Sequence, residues 1–181
     1  MNDTRDPSEG NDSDTLKARM IRVDQAGEYG AARIYAGQLA VLGDQPEAEV
    51  IAEMAAKERE HLERFDAMMN TRRVRPTLLS PVWHVAGFAL GAATAFAGPK
   101  TAMACTEAVE EVIEEHYAAQ KVALGDSDAE LKALIEDARA DESEHKERAI
   151  AEGAHQAPAH GPVTAAIRCG TRLAIWLSER V

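Results

Sequence analysis

Two short segments, Glu58-Arg-Glu-His61 and Glu142-Ser-Glu-His145, repeat one arrangement: a carboxylate and an imidazole three residues apart. In a helix that spacing puts both groups on one face. Each pair shares an apolar stripe, with Ala55, Leu62 and Phe65 beside the first and Ile135, Ala138 and Ala149 beside the second. One such pair is common by chance and is ordinarily a solvated or hydrogen-bonded couple. Two pairs become a site when lone glutamates stand opposite them. The candidates are Glu28, in DQAGEYGAARIY, and Glu110, in CTEAVEEVIEEHY. Glu28 precedes Glu58 by 30 residues and Glu110 precedes Glu142 by 32. Antiparallel helices, rising about 1.5 Å per residue, bring each lone glutamate level with the Glu-x-x-His of its own hairpin. Four carboxylates and two neutral imidazoles could hold two divalent ions and leave open positions, a donor mix suited to iron and O2 chemistry. A third match, Glu152-Gly-Ala-His155, lies beside Gly153 and before Pro158, and we expect no glutamate to oppose it. We expect His155 and His160 to be loop residues rather than ligands.

Neighbouring residues carry both a chemical and a structural reading. Tyr117 lies seven residues after Glu110, on the same helical face, where it could line a pocket, relay a proton or electron, or fill the core. His116 could meet substrate or reductant, or simply face solvent. Glu107, Glu111, Glu114 and Glu115 read mainly as a solvated face. Glu107, Glu111 or Glu114 could instead orient a ligand histidine from behind, and Asp24, one turn before Glu28, is a similar candidate.

The elements that must position these groups are helices, since no run alternates with period two. The pattern predicts helices over about Thr15–Leu42, stopped by Gly43, and from Pro46 to about Met69. Further helices are predicted over Pro99–Leu124, stopped by Gly125, and up to about Ala151 after a Ser127-Asp-Ala-Glu130 capping box. A last one runs over Val163–Glu179. Residues 1–13 read as a disordered acidic tail, leaving 14–181 as one domain. Four long helices paired by short loops imply an all-α, ferritin-like four-helix bundle, which needs one long crossover. Residues 76–99 supply it: 24 residues without Asp, Glu, Lys or Arg.

That segment includes the 17-residue run Val82–Gly98, bracketed by Pro81 and Pro99 and preceded by Arg72, Arg73 and Arg75. It is short for a span, and a single span would part the two halves of the site. We therefore expect a helix lying at a membrane surface, anchored by Trp83 and the arginines, with a buried or dimer helix as the rival. The apolar C-terminal helix could join the same face. The net charge of −11, from 20 basic and 31 acidic residues, speaks against nucleic-acid binding. Cys105 and Cys169 suggest neither a disulfide framework nor a thiolate metal site, and a reducing compartment is expected. The N-terminus has no signal-peptide pattern.

The segments IRVDQAGEYGAARIYAGQ, KEREHLERF, RPTLLSPVWHVAGFALGAATAFAGPKTAMACTEAVEEVIEEHYAAQ, DESEH and RLAIWLSERV resemble the demethoxyubiquinone hydroxylase family across residues 17–181. The resemblance implies a ferritin-like di-iron monooxygenase of ubiquinone biosynthesis, which hydroxylates the ring of a polyprenyl methoxy-methyl benzoquinol with O2. Its ligand pattern falls on Glu28, Glu58, His61, Glu110, Glu142 and His145, with Glu58 and Glu142 bridging two Fe ions. A His-Tyr pair that meets the reductant, for which NADH is the candidate, falls on His116 and Tyr117. Gln25 departs from the His or Asn-His character that the family leads us to expect near Asp24. The implied setting is peripheral, at the cytoplasmic face of the cell membrane, with other ubiquinone-biosynthesis proteins or a second copy as partners. A ferroxidase or iron-storage protein with the same six ligands is the alternative, and a non-enzymatic scaffold is a further rival.

Overall fold

The computed structural model describes residues 7–181, with side chains from Ser13 onward. Among these residues the chain forms six α-helices and one 3-10 turn: α1 (Pro7–Leu42), α2 (Ala48–Arg72), α3 (Ser80–Phe96), α4 (Pro99–Leu124), α5 (Ala129–Ala151), the turn Ala154–Gln156 and α6 (His160–Ser178). Helices α1 and α2 pack together, as do α4 and α5, and the hairpins meet through α1 against α4 and α2 against α5. This is an all-α, ferritin-like four-helix bundle. Helix α3 is the crossover and lies along α1; α6 lies along α4.

Several boundaries differ from the sequence pattern. Helix α1 starts at Pro7, so the tail expected over 1–13 overlaps it, and residues 1–6 lie outside the described residues. Helix α2 starts at Ala48, because Gln45 and Ala48 make turn hydrogen bonds first. The expected capping box before α5 is not formed. Ser127 Oγ donates to Leu124 O at 2.7 Å, and Asp128 is the cap, accepting from Leu131 N at 3.0 Å. Arg72, at the end of α2, pairs with that same Asp128 and with Glu130, tying the two hairpins together. Its guanidinium is thus engaged within the fold.

Helix α3 has one packed face and one exposed face. One face is pressed onto α1 through glycines. A Cβ on Gly91 or Gly37 would overlap the facing backbone at Ile34 or Phe88, and one on Gly87 would sit 2.9 Å from Gly30 O. The glycines are there so that two helix backbones can touch. The other face leaves Val82, Val85 and Phe96 exposed. Trp83, expected as an interfacial anchor, instead donates from Nε1 to Ser178 Oγ at 3.0 Å and joins α3 to α6. Among the described residues no helix is long and apolar enough to cross a membrane.

The core is divided along the bundle axis. On α2, Ile51, Met54 and Ala55 belong to one apolar cluster and Phe65, Met68 and Met69 to another, with Glu58 and His61 between. On α5, Ile135 and Ala138 lie on one side of Glu142 and His145, and Ala149 on the other. A polar layer thus crosses an otherwise hydrophobic interior.

Candidate metal centre

The six residues singled out by spacing meet in that layer. Glu28 comes from α1, Glu58 and His61 from α2, Glu110 from α4, and Glu142 and His145 from α5; none is more than 5% exposed. Their donor atoms fall into two four-membered groups, each compact enough to surround one ion: Glu28, Glu58, His61 and Glu142, and Glu58, Glu110, Glu142 and His145. Glu58 and Glu142 belong to both, so they stand where a bridging carboxylate must.

The buried polar atoms fit a metal pair. Glu28 Oε2, Glu110 Oε2, both oxygens of Glu58 and of Glu142, and Nδ1 of His61 and His145 accept or donate no hydrogen bond. Orphans of this kind are rare and costly in a protein interior. His145 Nδ1 stands 2.9 Å from Glu58 Oε1 without the alignment of a hydrogen bond. Lone pairs aimed into one space are what a cation requires. Burial, reinforced by the neighbouring carboxylates, pushes the Glu58, Glu110 and Glu142 carboxyls well above the usual carboxylate range. Burial works against a charged His61, but Glu28 and Asp141 outweigh it and its pKa rises.

The outer contacts leave the metal-facing atoms free. Tyr117 Oη donates to Glu28 Oε1, and Tyr35 Oη donates to Glu110 Oε1 at 2.7 Å. In each glutamate Oε2 remains for the ion. Burial and adjacent carboxylates hold both phenols far above their ordinary pKa, so they stay donors. His61 Nε2 meets Asp141 Oδ2 at 3.0 Å, which fixes Nε2 as the protonated nitrogen and turns the Nδ1 lone pair inward. Beyond Glu28, Gln120 Nε2 donates to Asp24 Oδ1 at 2.7 Å, and His116 Nε2 lies 3.4 Å from the same oxygen. Burial pushes Asp24 up to about 6 against the opposing pull of His116 and Gln120. Tyr117 is therefore a partner of the centre, and His116 sits one layer out.

A cavity of about 320 Å³ lies against the same helices. Gly27, Gly30 and Ala31 of α1, and Val109 and Ile113 of α4, flank Glu28 and Glu110 in sequence and line it; Trp83 and Leu90 of α3 and Thr171 and Ile175 of α6 close it. Its walls are almost wholly apolar. Cβ atoms on Gly27 and Gly30 would meet nothing within 4 Å, so these glycines open the space rather than fit a contact.

The chain matches the model of the family described as ubiquinone biosynthesis protein COQ7 over residues 15–178. It belongs to that family. The 3-demethoxyubiquinol 3-hydroxylase of Rhodospirillum rubrum is 56% identical over 164 residues, covering 90% of this chain and 77% of the relative. The Homo sapiens protein named NADPH-dependent 3-demethoxyubiquinone 3-hydroxylase, mitochondrial, is 50% identical over 167 residues, with the same two coverages. Its namesake in Dictyostelium discoideum is 51% identical over 166 residues, covering 90% and 76%.

Two expectations are corrected. None of Glu107, Glu111 and Glu114 orients a ligand histidine. Glu111 pairs with Arg168 at 2.6 Å, Glu114 with Lys146 and Arg139, and Glu107, buried instead of solvated, with His155 and His160. Gln25 faces α2, donating to Asp66 Oδ1 at 3.0 Å, away from the centre. Asp141 and Tyr35 were missed. Asp141 is hidden inside the DESEH motif as an apparent solvent residue, and Tyr35 reads as core. A signal for Tyr35 exists: Glu-x6-Tyr-x2-Gln occurs twice, as Glu28, Tyr35, Gln38 and as Glu110, Tyr117, Gln120.

Proposed function

We propose that this protein is a 3-demethoxyubiquinol 3-hydroxylase, inserting an oxygen from O2 into the ring of a polyprenyl methoxy-methyl benzoquinol. The observation that carries the reading is the pair of overlapping donor groups sharing Glu58 and Glu142, set against an apolar cavity. Glu28, Glu58, His61 and Glu142 would hold one iron, and Glu58, Glu110, Glu142 and His145 the other. When bound, such a pair activates O2 for attack on an electron-rich ring. The chain's own residues do the rest. Tyr35, Tyr117 and Asp141 fix the orientation of Glu110, Glu28 and His61. The cavity takes apolar substrate and excludes water from the reacting ring. A ferroxidase would use the same donors but has no need of that cavity.

Reducing equivalents come from a nicotinamide nucleotide. The names of the human and Dictyostelium relatives specify NADPH, where the sequence led us to NADH. His116, with Arg172 and Trp176, borders an open hollow that would receive the reductant. The two helices that wall the cavity also expose Val82, Val85, Leu173 and Trp176. This supports a peripheral position at the cytoplasmic face of the cell membrane, with the cavity fed from the lipid.

The test is the lipid-quinone profile of a host lacking its own hydroxylase and complemented with this chain or with Glu142→Ala. The wild type should clear accumulated demethoxyubiquinone, and the variant, present at equal level, should not. If the wild type leaves the profile unchanged while folded and metal-loaded, the assignment is wrong and iron handling becomes the better reading.

A further inference from the structure

Outside the buried centre, one other set of metal-ligating side chains converges. Glu107 lies on α4, three residues before Glu110; His155 is in the 3-10 turn after α5; His160 opens α6. Glu107 is buried, yet each of its oxygens faces an imidazole. His155 Nε2 stands 3.1 Å from Oε1 and His160 Nε2 stands 2.7 Å from Oε2. The two rings meet edge to face, with centroids 5.0 Å apart. One donor atom from each of the three residues lies within 4.8 Å of the others.

We propose that Glu107, His155 and His160 form a separate, mononuclear site for a divalent transition-metal ion of the zinc type, which clamps α6 to α4. Two imidazoles and one carboxylate, with a fourth position left to water, are a recurrent zinc donor set. Ligands about 2.0 Å from a tetrahedral ion stand about 3.3 Å apart. The two imidazole nitrogens stand 3.1 and 2.7 Å from separate oxygens of Glu107, so an ion would need one of these oxygens to serve both and the trio to open slightly. His155 is 58% exposed in its side chain, which gives an ion access and leaves the fourth position wet.

The backbone shows how the trio is brought together. Between the ends of α5 and α6 the chain turns through the left-handed region twice, at Gly153 (φ 98°) and at Ala159 (φ 53°). Ala159, directly before His160, is one of two non-glycine residues with positive φ among the described residues. A residue with a Cβ keeps that conformation only where its surroundings over-determine it, as at ligand clamps. Here the turn delivers the second imidazole to the carboxylate already met by the first. The N-terminus of α6 is electropositive and opposes a cation, which the Glu107 carboxylate offsets. The ion would fix the near end of the helix that closes the apolar cavity through Thr171 and Ile175.

The inference stands apart from the hydroxylase reading, because its test is a difference between chains. The full chain, loaded beforehand with iron, is titrated with Zn(II) and desalted. Its metals are then counted beside those of His155→Gln and the His155→Gln/His160→Gln pair. The wild type should keep one ion per chain more than the double variant, whatever the buried centre holds. Zn(II) should raise the wild-type melting temperature and leave that of the double variant unmoved. Co(II) in place of zinc should give four-coordinate visible bands in the wild type only. Equal metal counts in all three chains, or a wild-type melting curve indifferent to zinc, would show a hydrogen-bonded trio and overturn the proposal. Because His155 is largely exposed, the single variant should fold and keeps the comparison valid if the double variant does not.

Discussion

The α1–α2 and α4–α5 hairpins carry the same plan and use it differently. Both present Glu-x6-Tyr-x2-Gln on one helix and Glu-x-x-His on the next, and each tyrosine reaches across to the other hairpin's lone glutamate. The residue before Glu-x-x-His breaks the likeness: it is Lys57 in one hairpin and Asp141 in the other. Both turn to the same half of the centre, with Asp141 on His61 and Lys57 3.9 Å from Asp141. Gln38 spends its amide on Ala102 O and Thr106 Oγ1 of α4, whereas Gln120 binds Asp24 and His116. The Glu28–His61 half therefore carries two extra acids, Asp24 and Asp141. A repeated frame gives two donor groups of the same composition and unequal field.

The shared carboxylates test the frame most severely. Glu58→Ala or Glu142→Ala should lose both ions and all measurable turnover, read by iron content and product formation; retention of one tightly held iron would show that the halves are independent. Asp141→Asn should fall on one half. Metal affinity or activity should drop about 10–100-fold, the usual cost of losing a partner behind a ligand histidine, with a metal titration turning from one phase to two. An unchanged titration would mean that Asp141 does not set the difference. Gly30→Leu sharpens the contrast between lining and contact. Its Cβ would meet no atom within 4 Å and the side chain would enter the cavity, so turnover of the quinol should fall about tenfold or more. Stability should hold or rise by up to about 1 kcal/mol, since glycine is a poor helix former. Gly91→Leu, at the helix contact, should instead unfold the chain at lower temperature.

A smaller effect is expected with pH. The folded pKa values of Glu58, Glu110 and Glu142 are raised above those of the unfolded chain. Their contribution to stability is fully present below the unfolded carboxylate range and is lost as pH rises through the raised values. The metal-free protein should melt higher as pH falls from about 8 towards about 5. The stabilisation added by Fe(II) should shrink over the same interval, as protons compete for the same oxygens. Salt bridges such as Arg72–Asp128 act in the opposite sense, since Asp128 is held low. Asp128→Ala, which removes that contribution and a helix cap, should cost about 1 kcal/mol.

How far the centre could be read from the chain depends on where its partners lie in sequence. Glu58 with His61, and Glu142 with His145, are local pairs, and hairpin register adds Glu28 and Glu110. These follow from helical periodicity alone. Asp141 on His61, Tyr35 on Glu110 and His155 on Glu107 join residues 80, 75 and 48 apart, and only the repeated Glu-x6-Tyr-x2-Gln hints at one of them. The crossover was legible as apolar but not as a helix whose glycines face α1, because an uncharged run has no periodic contrast to reveal its buried side. The start of α5 was assigned to the wrong cap because Ser127 and Asp128 are both good caps and only tertiary contact with Arg72 separates them.

The carboxylate oxygens of the central layer that lack a hydrogen bond have a consequence for the protein's lifetime. A bundle that must bury four acids without a cation spends more of its time locally open than one whose acids are neutralised. Newly made chains short of a metal ion would present that open form to proteases. Abundance, before specific activity, would then follow the metal supply, and the step this protein occupies would be throttled by turnover of the polypeptide.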